Sequence, residues 1–350
     1  MTVAANPATV SGFARLEQLM ARGSAFLGSR YAILGGGMTW VSERNLVAAI
    51  SNAGGFGVLA SGAMQPERLR EEIQATRALT KNTFGVNLIT MHPQLLDMVQ
   101  VCLDEGVTHI VLAGGLPPGE AIERAKKGGA KVICFAPALA LAKKLVRSGV
   151  DALVIEGSEA GGHIGPVSLT VLAQEILPHI TEVPVFVAGG IGRGEAIASY
   201  LGMGAAGVQL GTRFVCATES VAHPNFKKAF IRGNARDAVT SAQLDPRFPV
   251  IPVRALRNKG SEEFMQAQRQ IIERVDRGEL DVAAGQLEIE HYWAGALRRA
   301  VIDGDVDTGS LMAGQSVGMV KAEQPVAEIV QELVDQAVAF LSNAPKEAAE

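Results

Sequence analysis

Short apolar, β-branched runs recur along this chain at near-regular spacing, and each is followed by a stretch of helical periodicity. That alternation restricts the chain to a parallel sheet built from strand–helix units. The runs are Tyr31–Leu34, Phe56–Ala60, Phe84–Leu88, His109–Ala113, Lys131–Phe135, Ala152–Glu156, Val185–Ala188 and Ala206–Leu210. The helical stretches between them are Glu43–Asn52, Pro66–Leu79, Pro93–Asp104, Gly119–Lys127, Pro137–Ser148, Ser168–Leu177 and Gly194–Leu201. Eight strands within about 180 residues is the number that closes a TIM-type (β/α)8 barrel. An open doubly wound sheet is the competing arrangement, but it needs its glycine-rich turn chiefly after the first strand. Here such turns follow nearly every strand. Aromatic residues make up only 5% of a chain that is 48% hydrophobic, so the core must be built from Val, Ile, Leu and Ala. Strands buried on both faces have that composition.

The predicted organisation is an α/β barrel over residues 1–220, a C-terminal helical cap over 221–320 lying on the barrel mouth, and a helix and tail, 321–350, returning to the barrel. Pro246–Pro252 interrupts the helical pattern of the cap. Phe248, Met265, Tyr292 and Trp293 are apolar cap residues, for which packing is the simpler role and pocket lining the alternative.

The net charge of -4 and the absence of a long basic run argue against nucleic acid or an anionic membrane as partners. The three cysteines, Cys102, Cys134 and Cys216, stand far apart without a CxxC pair, so neither a disulfide framework nor a zinc or other metal site is expected. The first residues lack a basic start followed by an apolar run, and no stretch of about 20 residues is apolar throughout. A cytoplasmic enzyme acting on a small molecule, as a monomer or homodimer, is the expectation.

Two glycine-rich turns carry the first chemical signal. They follow the seventh and eighth strands: Ala188-Gly189-Gly190-Ile191-Gly192 and Gln209-Leu210-Gly211-Thr212. In barrels of this kind these two loops commonly bind phosphate, because backbone N–H groups unobstructed by side chains point at the anion. Thr212 can add a hydroxyl. Glycines also permit tight turns with no ligand, but two such turns at these two strands favour phosphate. Polar residues at other strand ends suit a flat heterocycle. Asn87 ends an otherwise apolar run, where its amide needs partners. Gln209 ends the eighth strand in the same way. Gly35-Gly36-Gly37-Met38 after the first strand and Ala113-Gly114-Gly115 after the fourth can pass close to such a ring.

The loop after the sixth strand, Glu156-Gly157-Ser158-Glu159-Ala160-Gly161-Gly162-His163-Ile164-Gly165, delivers a single imidazole to the mouth. His163 there can take a proton from carbon or donate to a developing anion. Glu156 and Glu159 are candidates to orient it or to contact a ligand. His92, His109, His179, His223 and His291 sit in settings that favour structural roles. A barrel with a cysteine nucleophile is a further alternative, but Cys216 follows strand eight rather than strand six.

The EGSEAGGHIG loop, the VAGGIG and QLGTRF turns, NAGGFG at 52–57 and the late Ala313-Gly314-Gln315-Ser316 together resemble the nitronate monooxygenase (2-nitropropane dioxygenase-like) family. The closely similar FMN-dependent enoyl-ACP reductases share the pattern. The likeness covers about residues 30–320. The resemblance implies an FMN-binding barrel under a lid of helices, with Gly190, Gly211 and Thr212 at the phosphate and Gly189 adjoining them. It implies that Asn87, Glu156, Gly161, Gly162 and Gln209 face the flavin, that His163 is catalytic, and that Gly314 and Gln315 close over the cofactor. A monooxygenase of this kind turns a nitronate or nitroalkane and O2 into a carbonyl compound and nitrite. A reductase moves a nicotinamide hydride through FMN to an enoyl thioester. The residues leave both open.

Overall fold

Each apolar run forms a strand because both of its faces are covered, by the barrel interior on one side and by outer helices on the other. The strands are β1 (Ile33–Gly35), β2 (Val58–Ala60), β3 (Gly85–Ile89), β4 (His109–Ala113), β5 (Lys131–Phe135), β6 (Ala152–Glu156), the two-residue β7 (Gly162–His163), β8 (Val185–Ala188), β9 (Gly207–Leu210), β10 (Ala238–Thr240) and β11 (Val253–Leu256). The computed structural model describes residues 11–248, 250, 252–292 and 295–343. Eight strands pair in parallel in the order β1-β9-β8-β6-β5-β4-β3-β2. The ends of that order meet through a parallel bridge between Leu34 and Phe56. There Phe56 N–H donates to Ile33 O and Gly35 N–H to Phe56 O, each at 2.9 Å. The sheet is therefore a (β/α)8 barrel, as the run count predicts.

A helix that the sequence reading did not foresee, Gly12–Leu27, lies across the N-terminal end of the barrel. The side chain of Ser11 caps its start, and Gly28, at φ +67°, ends it. Its buried residues Leu16, Met20, Gly23 and Leu27 recur at three- and four-residue spacing, the stripe of a helix with one covered face. Near its end, Phe26 packs against His109 with ring centroids 5.3 Å apart. The Phe26 carbonyl accepts from His109 Nε2 and from Lys131 Nζ. This closes the floor of the barrel, opposite the mouth.

The helix Val326–Asn343 packs against the helices Gly194–Gly202, Gly12–Leu27 and Arg44–Asn52, so it fills the place of an eighth outer helix. The approach is close: a Cβ on Gly194 would sit 2.0 Å from Leu333 O. Between β9 and this helix lies the cap, with helices Pro224–Arg232, Lys259–Asp276 and Val282–Tyr292. Phe248, Phe264, Ile271 and Ile289 form a small core of its own, with Tyr292 packed against it. Phe248 thus serves packing, and Trp293 lies outside the described residues.

The cap also carries two short strands, which the sequence reading did not foresee. β10 and β11 pair antiparallel, and β11 pairs with β7, setting Val253 against His163 and Arg254 against Gly162. The glycine-rich loop has backbone N–H and C=O groups that need partners, and the cap strands supply them. Among the described residues no helix is long and apolar enough to cross a membrane.

Candidate functional site at the barrel mouth

The turn after β1 carries Gly36, Gly37 and Met38 between two side-chain amides. A Cβ on Gly37 would lie 2.7 Å from Asn87 Cβ, and one on Gly36 would lie 3.5 Å from Gln209 Nε2. Ser42 fixes this turn: its Oγ donates to Gly36 O at 2.7 Å and accepts from Met38 N–H at 3.0 Å. The Met38 sulfur in turn lies against Gly211, 3.3 Å from where its Cβ would be. Asn87 and Gln209 are only 6% and 9% exposed, yet neither side-chain amide makes a hydrogen bond among the described residues. Asn87 lies inside β3 and does not cap the following helix, Leu95–Asp104, which has no side-chain cap. The amide atoms of Asn87 and Gln209 retain access to solvent, so a flat ring with donors and acceptors on its edge could pair with them. Ala113 ends β4 half-buried, its carbonyl taken by Thr90 N–H at 2.8 Å.

The two turns after β8 and β9 hold their backbones as an anion site requires. Gly189 and Gly190 adopt φ of +98° and +70°, conformations that favour glycine. The N–H groups of Gly190, Gly211 and Thr212 donate to no acceptor among the described residues. Thr212 Oγ1 accepts from Gly314 N–H at 2.9 Å, which leaves its own proton to donate. Some glycines here also have a packing reason. A Cβ on Gly161 would lie 2.5 Å from Gly314 N, and one on Gly190 would lie 3.0 Å from Glu159 Cβ. Gln315 N–H donates to Glu159 O at 2.9 Å. The β6–β7 loop, the turn after β8, Thr212 and Gly314-Gln315 thus form one cluster.

His163 lies in β7, exposed at the mouth, and its ring makes no hydrogen bond or ion pair among the described residues. The protein around the ring still strips enough water to lower its pKa from the ordinary 6.5, so the imidazole is neutral at neutral pH. Neither glutamate orients it. The Glu159 carboxylate accepts from Leu169 N–H, at the start of the helix Leu169–Ile176. Glu156 has no side-chain partner among the described residues, and burial pushes its carboxyl up to about 8. It is therefore protonated at neutral pH and can donate an O–H.

The remaining sequence candidates resolve simply. His109 is buried in the floor, with its pKa pushed down to about 4 by burial. His223 caps the helix Pro224–Arg232 through Asn225 N–H. Cys216 is buried, and its thiol is pushed up to about 12, chiefly by burial, which leaves no thiolate nucleophile. Three contributors were missed. Ser42 holds the first turn. Arg254 ties the histidine loop to the cap by donating to Ser158 O at 2.9 Å and to Ala238 O at 2.6 Å. Trp40 adopts φ +68° and borders a cavity of about 230 Å³ shared with Ala63, Met64, Val221 and Ile302. Only the positive φ is unusual, and the sequence gives no sign of it.

The sequence pattern of one family, described as nitronate monooxygenase, matches residues 21–101 and 94–336. The chain belongs to the nitronate monooxygenase family. It is a flavin-dependent oxidoreductase of that family, and its relation to the enoyl-ACP reductases holds as well. The chain is similar to FabK from Thermotoga maritima, with a TM-score of 0.79 and 35% identity, covering 93% of this chain and 96% of that one. It is similar to a nitroalkane oxidase from Streptomyces ansochromogenes, with a TM-score of 0.71 and 27% identity over 88% and 96%. A Mycobacterium tuberculosis relative, (3aS,4S,5R,7aS)-5-hydroxy-7a-methyl-1-oxo-octahydro-1H-indene-4-carboxyl-CoA dehydrogenase, is 30% identical over 91% of this chain and 96% of its own length.

Proposed function

We propose that this family member binds FMN and oxidises alkyl nitronates, and nitroalkanes through them, with O2 to a carbonyl compound and nitrite. The observation that carries the reading is a neutral imidazole at the mouth of a barrel whose buried amides and turn N–H groups lack protein partners. Those orphaned groups fit FMN. Gly190, Gly211 and Thr212 would hold the phosphate, and Asn87 and Gln209 would meet the ring edge. Gly36, Gly37 and Met38 leave room for a plane, and Gly161, Gly162, Gly189, Gly314 and Gln315 pack the loops around it. When bound, the flavin takes up the electrons the substrate releases and returns them to O2.

The residues of the chain handle the proton and the charge. His163 takes the proton from the carbon bearing the nitro group, which it can do only while neutral. The imidazolium it becomes then stands beside the nitronate anion and offsets its charge. Glu156, protonated, donates a hydrogen bond instead of placing a second negative charge at the site. The cap strands hold the β7 backbone so that the ring meets the substrate in one orientation. Nitrite release from propyl nitronate in air, measured on the FMN-loaded protein, tests the reading. Nitrite and aldehyde in equal amounts are expected, and no nitrite above the cofactor blank overturns it.

A second reading is FMN-dependent reduction of an enoyl thioester by NADH or NADPH. The relatives make it plausible without supporting it better: the identities to FabK and to the carboxyl-CoA dehydrogenase exceed that to the nitroalkane oxidase, while the matching family model is that of nitronate monooxygenase. Consumption of NADH or NADPH that depends on an enoyl thioester is the outcome it requires.

A further inference from the structure

The two turns assigned to the phosphate belong to different strands, and no side chain of one bonds directly to the other among the described residues. Both are tied instead to one face of the C-terminal helix Val326–Asn343. Gly194 N–H, two residues past the turn after β8, donates to Gln336 Oε1 at 2.8 Å. Gln336 Nε2 donates to Glu332 Oε1 at 3.0 Å, one helical turn away. The other oxygen, Glu332 Oε2, accepts from Arg213 Nη2 at 2.5 Å. Arg213 directly follows Thr212. A continuous chain of hydrogen bonds therefore runs from one turn, through Gln336 and Glu332, to the other.

Several features mark this chain of bonds as a constraint on geometry. Arg213 is 3% exposed, and its Nε has no acceptor among the described residues. Its Nη1 and Nη2 otherwise reach only Gln324 Oε1, each at 3.3 Å. Glu332 is thus its only carboxylate partner among the described residues. The helix is held in register by further ties from the segment after β9. Lys227, 5% exposed, donates to Glu323 at 2.7 Å, and the Glu219 carboxylate accepts from Val326 N–H at 3.0 Å. On the β8 side, Gly194 lies directly against the helix backbone, and a Cβ on Gly192 would sit 2.7 Å from Met319 Cε.

We propose that Glu332 and Gln336 are positioning residues for the cofactor phosphate: they set the spacing of the two turns whose N–H groups receive it. The inference rests on the reading that these turns hold FMN. Neither residue reaches the cofactor, and their effect is confined to its phosphate end. An anion gripped from two sides is sensitive to the separation of the donors, because hydrogen bonds weaken steeply as distance and angle depart from the optimum.

The test compares FMN with riboflavin, which differs only in lacking the phosphate. Dissociation constants for both are measured by flavin fluorescence on apoprotein of the wild type, Gln336→Ala, Glu332→Ala and Glu332→Gln, with apoprotein melting temperatures recorded alongside. Gln336→Ala and Glu332→Ala should weaken FMN about tenfold or more, the scale of one charge-assisted hydrogen bond lost from good geometry. Riboflavin affinity should change less than about twofold. Glu332→Gln keeps one acceptor oxygen for the two donors Gln336 Nε2 and Arg213 Nη2, so it should recover the FMN affinity only in part. The shift of the bound phosphorus resonance should move in the weakened variants. Equal weakening of both ligands, or no weakening of either, overturns the positioning role. If Glu332→Ala does not fold, Gln336→Ala at its half-buried position decides the question alone. A wild type that binds riboflavin as tightly as FMN would instead remove the phosphate site itself, and the positioning role with it.

Discussion

Glu156 ends β6 and His163 lies in β7, and their environments move their pKa values in opposite directions. Desolvation lowers the imidazole and raises the carboxyl, so both are neutral at neutral pH. Replacing His163 by Ala should lower turnover of a neutral nitroalkane by about 10²–10⁴ while leaving bound FMN unchanged. Preformed nitronate, which has already lost its proton, should keep most of its rate. Nitrite release with each substrate checks this, and equal loss on both would remove His163 from the base role.

Glu156 also predicts a pH dependence for the apoprotein. Its ordinary value is 4.5 and its folded value about 8, so across that window the folded chain holds a proton that the unfolded chain lacks. Stability should therefore fall as pH rises through the window, and Glu156→Gln should remove that slope. His109 contributes the opposite sign at lower pH. Its folded value of about 4 lies below the ordinary 6.5, so the stability tied to it is complete above 6.5 and is lost as pH falls toward 4. Melting temperatures from acid to alkaline pH separate the two. A Glu156→Gln profile parallel to the wild type would contradict the raised carboxyl.

Among the elements, what the sequence makes legible follows from how local the cause is. β4, β5, β6 and β8 begin and end where the apolar runs do, because burial on both faces is written in consecutive residues. Asn87 and Gln209 stand out because a polar residue interrupts an apolar run. The three-stranded sheet of β7, β10 and β11 is invisible, since His163 pairs with Val253 far along the chain and neither segment alternates. Glu332 and Gln336 look like ordinary helix-surface residues, and only the fold brings them to Arg213 and Gly194. The floor helix Gly12–Leu27 does carry an apolar stripe, which reading the segment only for targeting signals overlooks. The closest helix contact gives an element-scale prediction. Gly194→Ala would place a Cβ 2.0 Å from Leu333 O and should destabilise the fold by about 1–3 kcal/mol or more. The denaturation midpoint reads this, and an unchanged midpoint would mean that the C-terminal helix is not seated as described.

For the whole molecule, the barrel supplies a ring of strand ends, the cap strands pair with the histidine loop, and the C-terminal helix is bonded to the segments after β8 and β9. All three converge on one mouth, which is where barrels of this class place their chemistry. If the mouth binds FMN by its phosphate, Gly190→Asp combined with Thr212→Ala should give colourless protein from a folded chain. Protein that stays yellow would refute those turns as the anchor.

The central claim is that a nitronate delivers electrons to a flavin at this mouth. It is tested most directly by mixing FMN-loaded protein with propyl nitronate in the absence of O2 and following the flavin absorbance. The account predicts bleaching by nitronate, with little change on NADH or NADPH, and nitrite once O2 is admitted. Rapid bleaching by NADH or NADPH, with none by nitronate, would contradict it and leave the enoyl thioester reductase in its place.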